Sequence, residues 1–196
     1  MRVLFAAPDR DLLACCRQLL EADLGETVTA FDGARALSLL GTERFDAAVF
    51  DRDLPRIGTK VLLERTRDAG VPAIVLINEP ISVRLLTEDP LPSAFLAYPF
   101  PFDRLRETLA DVTEKTCAGE RLAYAGMEID VAGFRIAGGP SLTAEEIDVL
   151  RALEKQESVP ADRAPFVSAL NAKFARLGLN AGIRYCSQKG FTGYET

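Results

Sequence analysis

The stretch FDAAVFDRDLP, residues 45 to 55, decides how the first half of the chain folds. Its run DAAVF, 46 to 50, keeps apolar side chains on consecutive positions, so both faces must be covered, as in a buried strand of a parallel sheet. Asp51 follows at once, and Pro55 and Gly58 break the chain before a helical pattern over 60 to 68. A carboxylate is thereby placed at the carboxyl end of a strand, where doubly wound folds keep their crevice.

Working outward, VLFAA at 3 to 7 reads as a buried strand, and 11 to 22 as a helix with Leu12, Leu13, Cys16, Leu19 and Leu20 on one face. Strand and helix then alternate: strands near 27 to 31, 73 to 77 and 95 to 97, helices over 33 to 40 and 102 to 115. A short helical stretch at 81 to 86 is interrupted by Pro90 and Pro92. Five strands alternating with five helical segments imply right-handed crossovers, hence an α/β fold with a doubly wound, five-stranded parallel sheet over residues 1 to 116.

After 116 to 119 the rhythm changes. LAYAG, MEIDV and FRIAG are short strand candidates separated by glycine turns, which predicts an antiparallel sheet. SLTAEE opens a helix with Thr143 as N-cap, Glu146 completing a capping box, and Ile147, Leu150 and Leu153 as the apolar stripe. A second helix over 165 to 177 and a hairpin over 183 to 194 complete a small α+β domain at 120 to 196.

Composition narrows the function. The opening MRVLFAAPDRD is too short in apolar residues for a secretory leader, and no later run could span a bilayer, which predicts a soluble, cytoplasmic protein with no membrane contact. Cys15, Cys16, Cys117 and Cys186 form no CxxC pair and there is no His, so no metal set and no cofactor is expected, and the cysteines read as reduced thiols. The lack of His also removes the commonest general base, and an enzyme is not expected. With 23 basic against 29 acidic residues the net charge is −6, so nucleic-acid binding would need a local basic face.

FDAAVFDRDLP at 45 to 55, VPAIVLI at 71 to 77 and YPFPFDRL at 98 to 105 fall in the order and spacing of a response-regulator receiver, and residues 1 to about 115 resemble that flavodoxin-like domain. The resemblance implies that Asp51 occupies the phosphoacceptor position. Around it the family's working parts are replaced. The acidic pair that holds magnesium after the first strand is Ala7 and Pro8 here, the hydroxyl residue ending the fourth strand is Ile77, and the lysine after the fifth strand is Tyr98. Asp9, one residue beyond Pro8, reads as the cap of the following helix. Asp51 therefore reads as a strand-end carboxylate rather than a working phosphoacceptor, because magnesium and the incoming phosphoryl both need more ligands than it alone provides. Ile77, Phe95 and Tyr98 are expected to fill the emptied pocket and to hold one conformation. An aromatic before Pro99 also suits a cis bond at the place of the family's lysine-proline pair.

LAYAGMEIDVAGFRIAGGPSLTAEEIDVLRAL resembles the entry to the winged-helix effector domain of OmpR/PhoB-type regulators, and KGFTGYE its terminal hairpin. Only QESVPADRA stands where that family fits a further helix and loop. The helix PFVSALNAKFARL would be the recognition helix, with Val167, Leu170, Phe174 and Leu177 inward and Ser168, Ala169, Asn171, Ala172 and Lys173 outward. Residues 119 to 196 hold nine Lys or Arg and ten Asp or Glu, so DNA contact would rest on Ser168, Asn171, Lys173, Arg176, Arg184 and Lys189, with Asn171 as a reader of adenine. The same residues read equally well as solvated helix and hairpin groups.

Two functions follow. One is a phosphorylation-independent transcription regulator binding DNA as a homodimer, paired through the 78 to 115 face by apolar contacts of Leu85, Leu86 and Phe95, since Ser93 and Ala94 stand where the family has acids. The other is an interaction module that has lost phosphoryl transfer and DNA binding and engages a partner regulator protein.

Overall fold

The computed structural model describes every residue except 120, 138, 156, 180, 187–189 and 196. The chain forms two compact units, Met1–Pro80 with Pro92–Thr116, and Ile81–Leu91 with Cys117–Thr196. The break at 116 falls where the sequence pattern changes. The assignment of Ile81–Leu91 to the second unit has no counterpart in the apolar rhythm.

The first unit carries strands β1 (Val3–Ala6), β2 (Thr27–Ala30), β3 (Ala47–Asp51), β4 (Ala73–Ile77) and β5 (Ala94–Ala97). They form one parallel sheet in the order β2-β1-β3-β4-β5, the doubly wound arrangement expected from the alternation. Every residue of β1, β3 and β4 is buried, which explains why those runs are apolar without alternating.

Helices α1 (Arg10–Asp23), α2 (Gly33–Thr42), α3 (Thr59–Asp68) and α5 (Phe102–Ala118) alternate with the strands, and α4 (Val83–Leu86) lies in the Ile81–Leu91 segment. Asp9 caps α1 by accepting from the Asp11 and Leu12 amides, as its position predicts. Asp32 caps α2 in the same manner through the Arg35 amide. Helix α4 is shorter than its apolar pattern, because Ser82 caps it late and Pro90 lies just beyond.

In the second unit β6 (Arg121–Tyr124), β7 (Met127–Asp130) and β8 (Arg135–Ile136) form an antiparallel sheet. Ala125 and Gly126, both at positive φ, make the tight turn between β6 and β7. Helix α6 (Ala144–Glu154) starts with the expected capping box of Thr143 and Glu146. The QESVPADRA stretch leaves room for one 3-10 turn, Ala161–Arg163, before α7 (Ala164–Arg176). A hairpin of β9 (Ala181–Cys186) and β10 (Gly190–Glu195) closes the unit. Ile129, Val131, Ile136, Leu142, Ile147, Leu150, Leu170 and Phe174 are buried and make its core. Among the described residues, no helix is long and apolar enough to cross a membrane.

Candidate functional site: the Asp51 pocket and helix α7

Asp51 ends β3 with its backbone paired to β4, so its side chain stands at the carboxyl rim of the sheet. It is 7% exposed, and both carboxylate oxygens have protein donors. The Asp53 amide donates to Oδ1 at 2.8 Å. The Tyr98 hydroxyl donates to Oδ2 at 3.1 Å. The Thr59 hydroxyl, at the start of α3, donates to the Asp51 and Arg52 carbonyls at 2.9 and 3.0 Å and holds the turn below them.

Tyr98 is seated by its surroundings. Its amide donates to the Ile77 carbonyl at 2.8 Å, continuing the β4-β5 pairing one residue past the strands. Its ring lies 5.1 Å from that of Phe100, and the Tyr98–Pro99 bond is cis, as an aromatic before proline suggests. Burial, and then the adjacent Asp51 carboxylate, push the phenol well above its ordinary value. Tyr98 is therefore a neutral hydroxyl donor at neutral pH, not a cation.

Of the other positions, Ala7, Pro8 and Ile77 are apolar where the receiver resemblance implies polar groups, and Phe95 keeps an aromatic. Ala7 and Ile77 are fully buried and Phe95 nearly so, while Pro8 is exposed. Asp9 spends one carboxylate oxygen on the first turn of α1. Asp53 receives the Asn78 amide at 3.4 Å, and Arg52 pairs with Glu79, two contacts that the sequence pattern did not reveal. The residues present do not fit the magnesium that the receiver resemblance implies. Asp51 is hydrogen-bonded on both oxygens, Ala7 and Pro8 offer no carboxylate, and no group of three or more acidic or cysteine side chains gathers as a metal site among the described residues.

The second candidate site is α7, and here burial corrects the expected outer face. Lys173 is 1% exposed and points into the unit, where Nζ meets both carboxylate oxygens of Glu146 at 2.7 Å. Burial pushes the Glu146 carboxyl up and the Lys173 ammonium down, and their mutual attraction opposes both shifts. Ala169 is buried as well. The helical wheel placed both outside because it counts only the stripe facing α6 and the hairpin as inner, whereas α7 is covered on a wider arc.

Asn171 is half-buried and bonded at both ends of its amide. It donates to the Ile183 carbonyl and accepts from the Ile183 amide, each at 2.8 Å, so it ties α7 to β9 like a strand neighbour. Its role is structural, and the expected reading of adenine would require both bonds to break. Ser168, Arg176 and Arg184 are exposed, with the Arg176 guanidinium donating to the Thr87 carbonyl at 3.3 Å. Lys189 lies outside the described residues. Leu85 and Leu86, expected as exposed apolar contacts, are buried within the second unit, and Phe95 is covered within the first.

No family model matches the chain. The transcriptional regulatory protein PrrA of Mycobacterium tuberculosis is 29% identical over 174 residues, covering 83% of this chain and 75% of that protein. The receiver domain of Francisella response regulator 1452 is 27% identical and superposes with a TM-score of 0.54, over 59% of this chain and 98% of that one. A mutant form of RitR shares only 16% identity but matches the fold over 100% of this chain and 99% of its own, with a TM-score of 0.67. The parallel sheet is thus a flavodoxin-like receiver fold followed by a small α+β domain, and these similarities support a response regulator related to transcriptional regulators.

Proposed function

We propose that the chain is a response regulator that works without receiving a phosphoryl group and regulates transcription by binding DNA as a homodimer. The observation that carries the first half is the Tyr98 hydroxyl on Asp51 Oδ2, with the Asp53 amide on Oδ1. A phosphoacceptor must present a free oxygen to the incoming phosphorus and a metal to neutralise its charge. Here both oxygens are engaged and the metal ligands are absent from the first strand's end. Magnesium and acetyl phosphate should leave the amide resonances around Asp51 unmoved and add no phosphate mass to the protein. A phosphate adduct on Asp51 would overturn this half.

The DNA half is supported by the similarity to PrrA, which runs through both units. Each monomer offers few cations to phosphate, so pairing two half-site contacts would be needed for useful affinity. Electrophoretic mobility of its own promoter region, with a dimeric sample at low salt, tests it. A specific observation favours a second reading, a protein-interaction module engaging a partner regulator. Lys173 and Asn171, two of the residues that the sequence pattern offers to DNA, are bonded within the unit instead, Lys173 to Glu146 and Asn171 to the Ile183 backbone. That reading predicts no retardation of any duplex and capture of a defined partner regulator by the intact protein.

A further inference from the structure

Helix α1 carries Arg10, Ala14 and Arg17 at helical spacing on one face, and it packs on β2, the edge strand of the parallel sheet. Beside them is a cleft of about 350 Å3 lined by Arg10, Leu13, Ala14, Arg17, Thr29 and Phe31. All six lie in the first unit, and none belongs to the Asp51 site. Leu13 is buried and Thr29 half-buried, while Arg10, Ala14, Arg17 and Phe31 are exposed.

The chain carries 29 acidic residues against 23 basic ones, yet the cleft is lined by two arginines and no carboxylate. Phe31 is 50% exposed, more than any other large apolar side chain among the described residues. The Arg10 guanidinium lies over its ring, 5.6 Å from the centroid, and has no ion pair or hydrogen bond among the described residues. Arg17 spends Nε on Glu21 at 2.9 Å, and a guanidinium has further donors on its terminal nitrogens.

An exposed aromatic or an unpaired arginine by itself is ordinary. Sharing one cleft, they select a ligand. The ring of Phe31 can stack a second π system, and a guanidinium, planar and weakly hydrated, offers both a stacking surface and a fork for an anion. The cleft has the size of small-molecule pockets, which run from roughly 300 to 1,000 Å3. Further along the same helix face stands Glu21, which repels an acidic chain and favours a compact ligand over an extended one.

We propose that this cleft binds a small planar aromatic anion, with its ring on Phe31 and its carboxylate or phosphate on Arg10 and Arg17. Such a ligand gives the first unit a chemical input that needs no phosphoryl transfer. The site stands whether or not Asp51 accepts a phosphoryl group, because the two share no residue.

The test is amide NMR on the full chain with two probes, naphthoate and adenosine monophosphate. At least one should shift the Leu13, Ala14, Thr29 and Phe31 amides at about 1 mM, the affinity range of a ligand that small. The tighter of the two assigns the anionic group as carboxylate or phosphate. The neutral analogues naphthalenemethanol and adenosine, and the ringless ions acetate and inorganic phosphate, should bind at least about tenfold more weakly, as should the variant R10Q, which loses a charge-assisted hydrogen bond. F31A should also weaken binding, whereas F31Y, which keeps the ring, should hold the wild-type affinity. Because Arg10 and Phe31 are exposed, these variants should unfold at the wild-type temperature. No shift at these amides with either probe overturns the site. Equal losses in R10Q and in R65Q, a change at an exposed arginine of α3, reduce the effect to general charge attraction and overturn it as well. Ringless ions binding as tightly as the probes overturn the aromatic class.

Discussion

Replacing Tyr98 by phenylalanine removes one donor from a carboxylate that has little water to turn to. Asp51 would keep the Asp53 amide but lose the bond to Oδ2, so Y98F should destabilise the first unit by about 1–3 kcal/mol in urea unfolding. The Tyr98 phenol is held above its unfolded value by burial and by Asp51. Its contribution is therefore fully present below the unfolded phenol value of about 10 and is lost as pH rises through the higher folded one. The stability gap between wild type and Y98F should accordingly narrow only in strongly alkaline solution. D51N should be mild, within about 1 kcal/mol, since an amide can still accept from Asp53 and can donate to the phenol oxygen. A large loss on D51N would mean that the charge itself is needed.

At the scale of elements, α6 and α7 are joined by a buried ion pair that also serves the cap of α6, because Glu146 Oε2 accepts from the Thr143 amide at 2.8 Å. Lys173→Met alone strands a buried carboxylate and should cost about 3–5 kcal/mol. Adding Glu146→Gln keeps an acceptor for the Thr143 amide and removes both charges, so the double variant should recover most of that loss in thermal unfolding. A double variant no better than K173M would show that the pair's charge is not the issue. Asn171→Ala should loosen the hairpin, exposing the Ile183 amide and carbonyl at a cost of about 1–3 kcal/mol, visible as faster hydrogen exchange in β9.

For the whole molecule, the count of cations bounds any DNA affinity. With Lys173 inside, Arg176, Arg184 and Lys189 remain of the four cations singled out in the effector region. Neutralising three phosphates per chain gives a log-log salt slope of about −2.7, or roughly −5 for a dimer on two half-sites. A markedly steeper slope would mean that other cations converge on the duplex. Light scattering at micromolar concentration tests the pairing itself, and a monomer there would remove the homodimer from the proposal.

The sequence alone determined the alternating sheet, the caps at Asp9 and Thr143, and which residues, Ala7, Pro8, Ile77 and Tyr98, stand at the positions around Asp51. These follow from periodicity and residue type, which act over a few residues and need no knowledge of distant neighbours. Only the tertiary structure decided what the surviving polar groups do. That Tyr98 donates to Asp51, that Lys173 turns inward to Glu146 and that Asn171 grips Ile183 depend on partners 47, 27 and 12 residues away, which no local pattern encodes. The same holds for Ile81–Leu91. Its apolar residues read as a pairing face, but a short helix takes its place from whichever surface covers it, and that surface is α7.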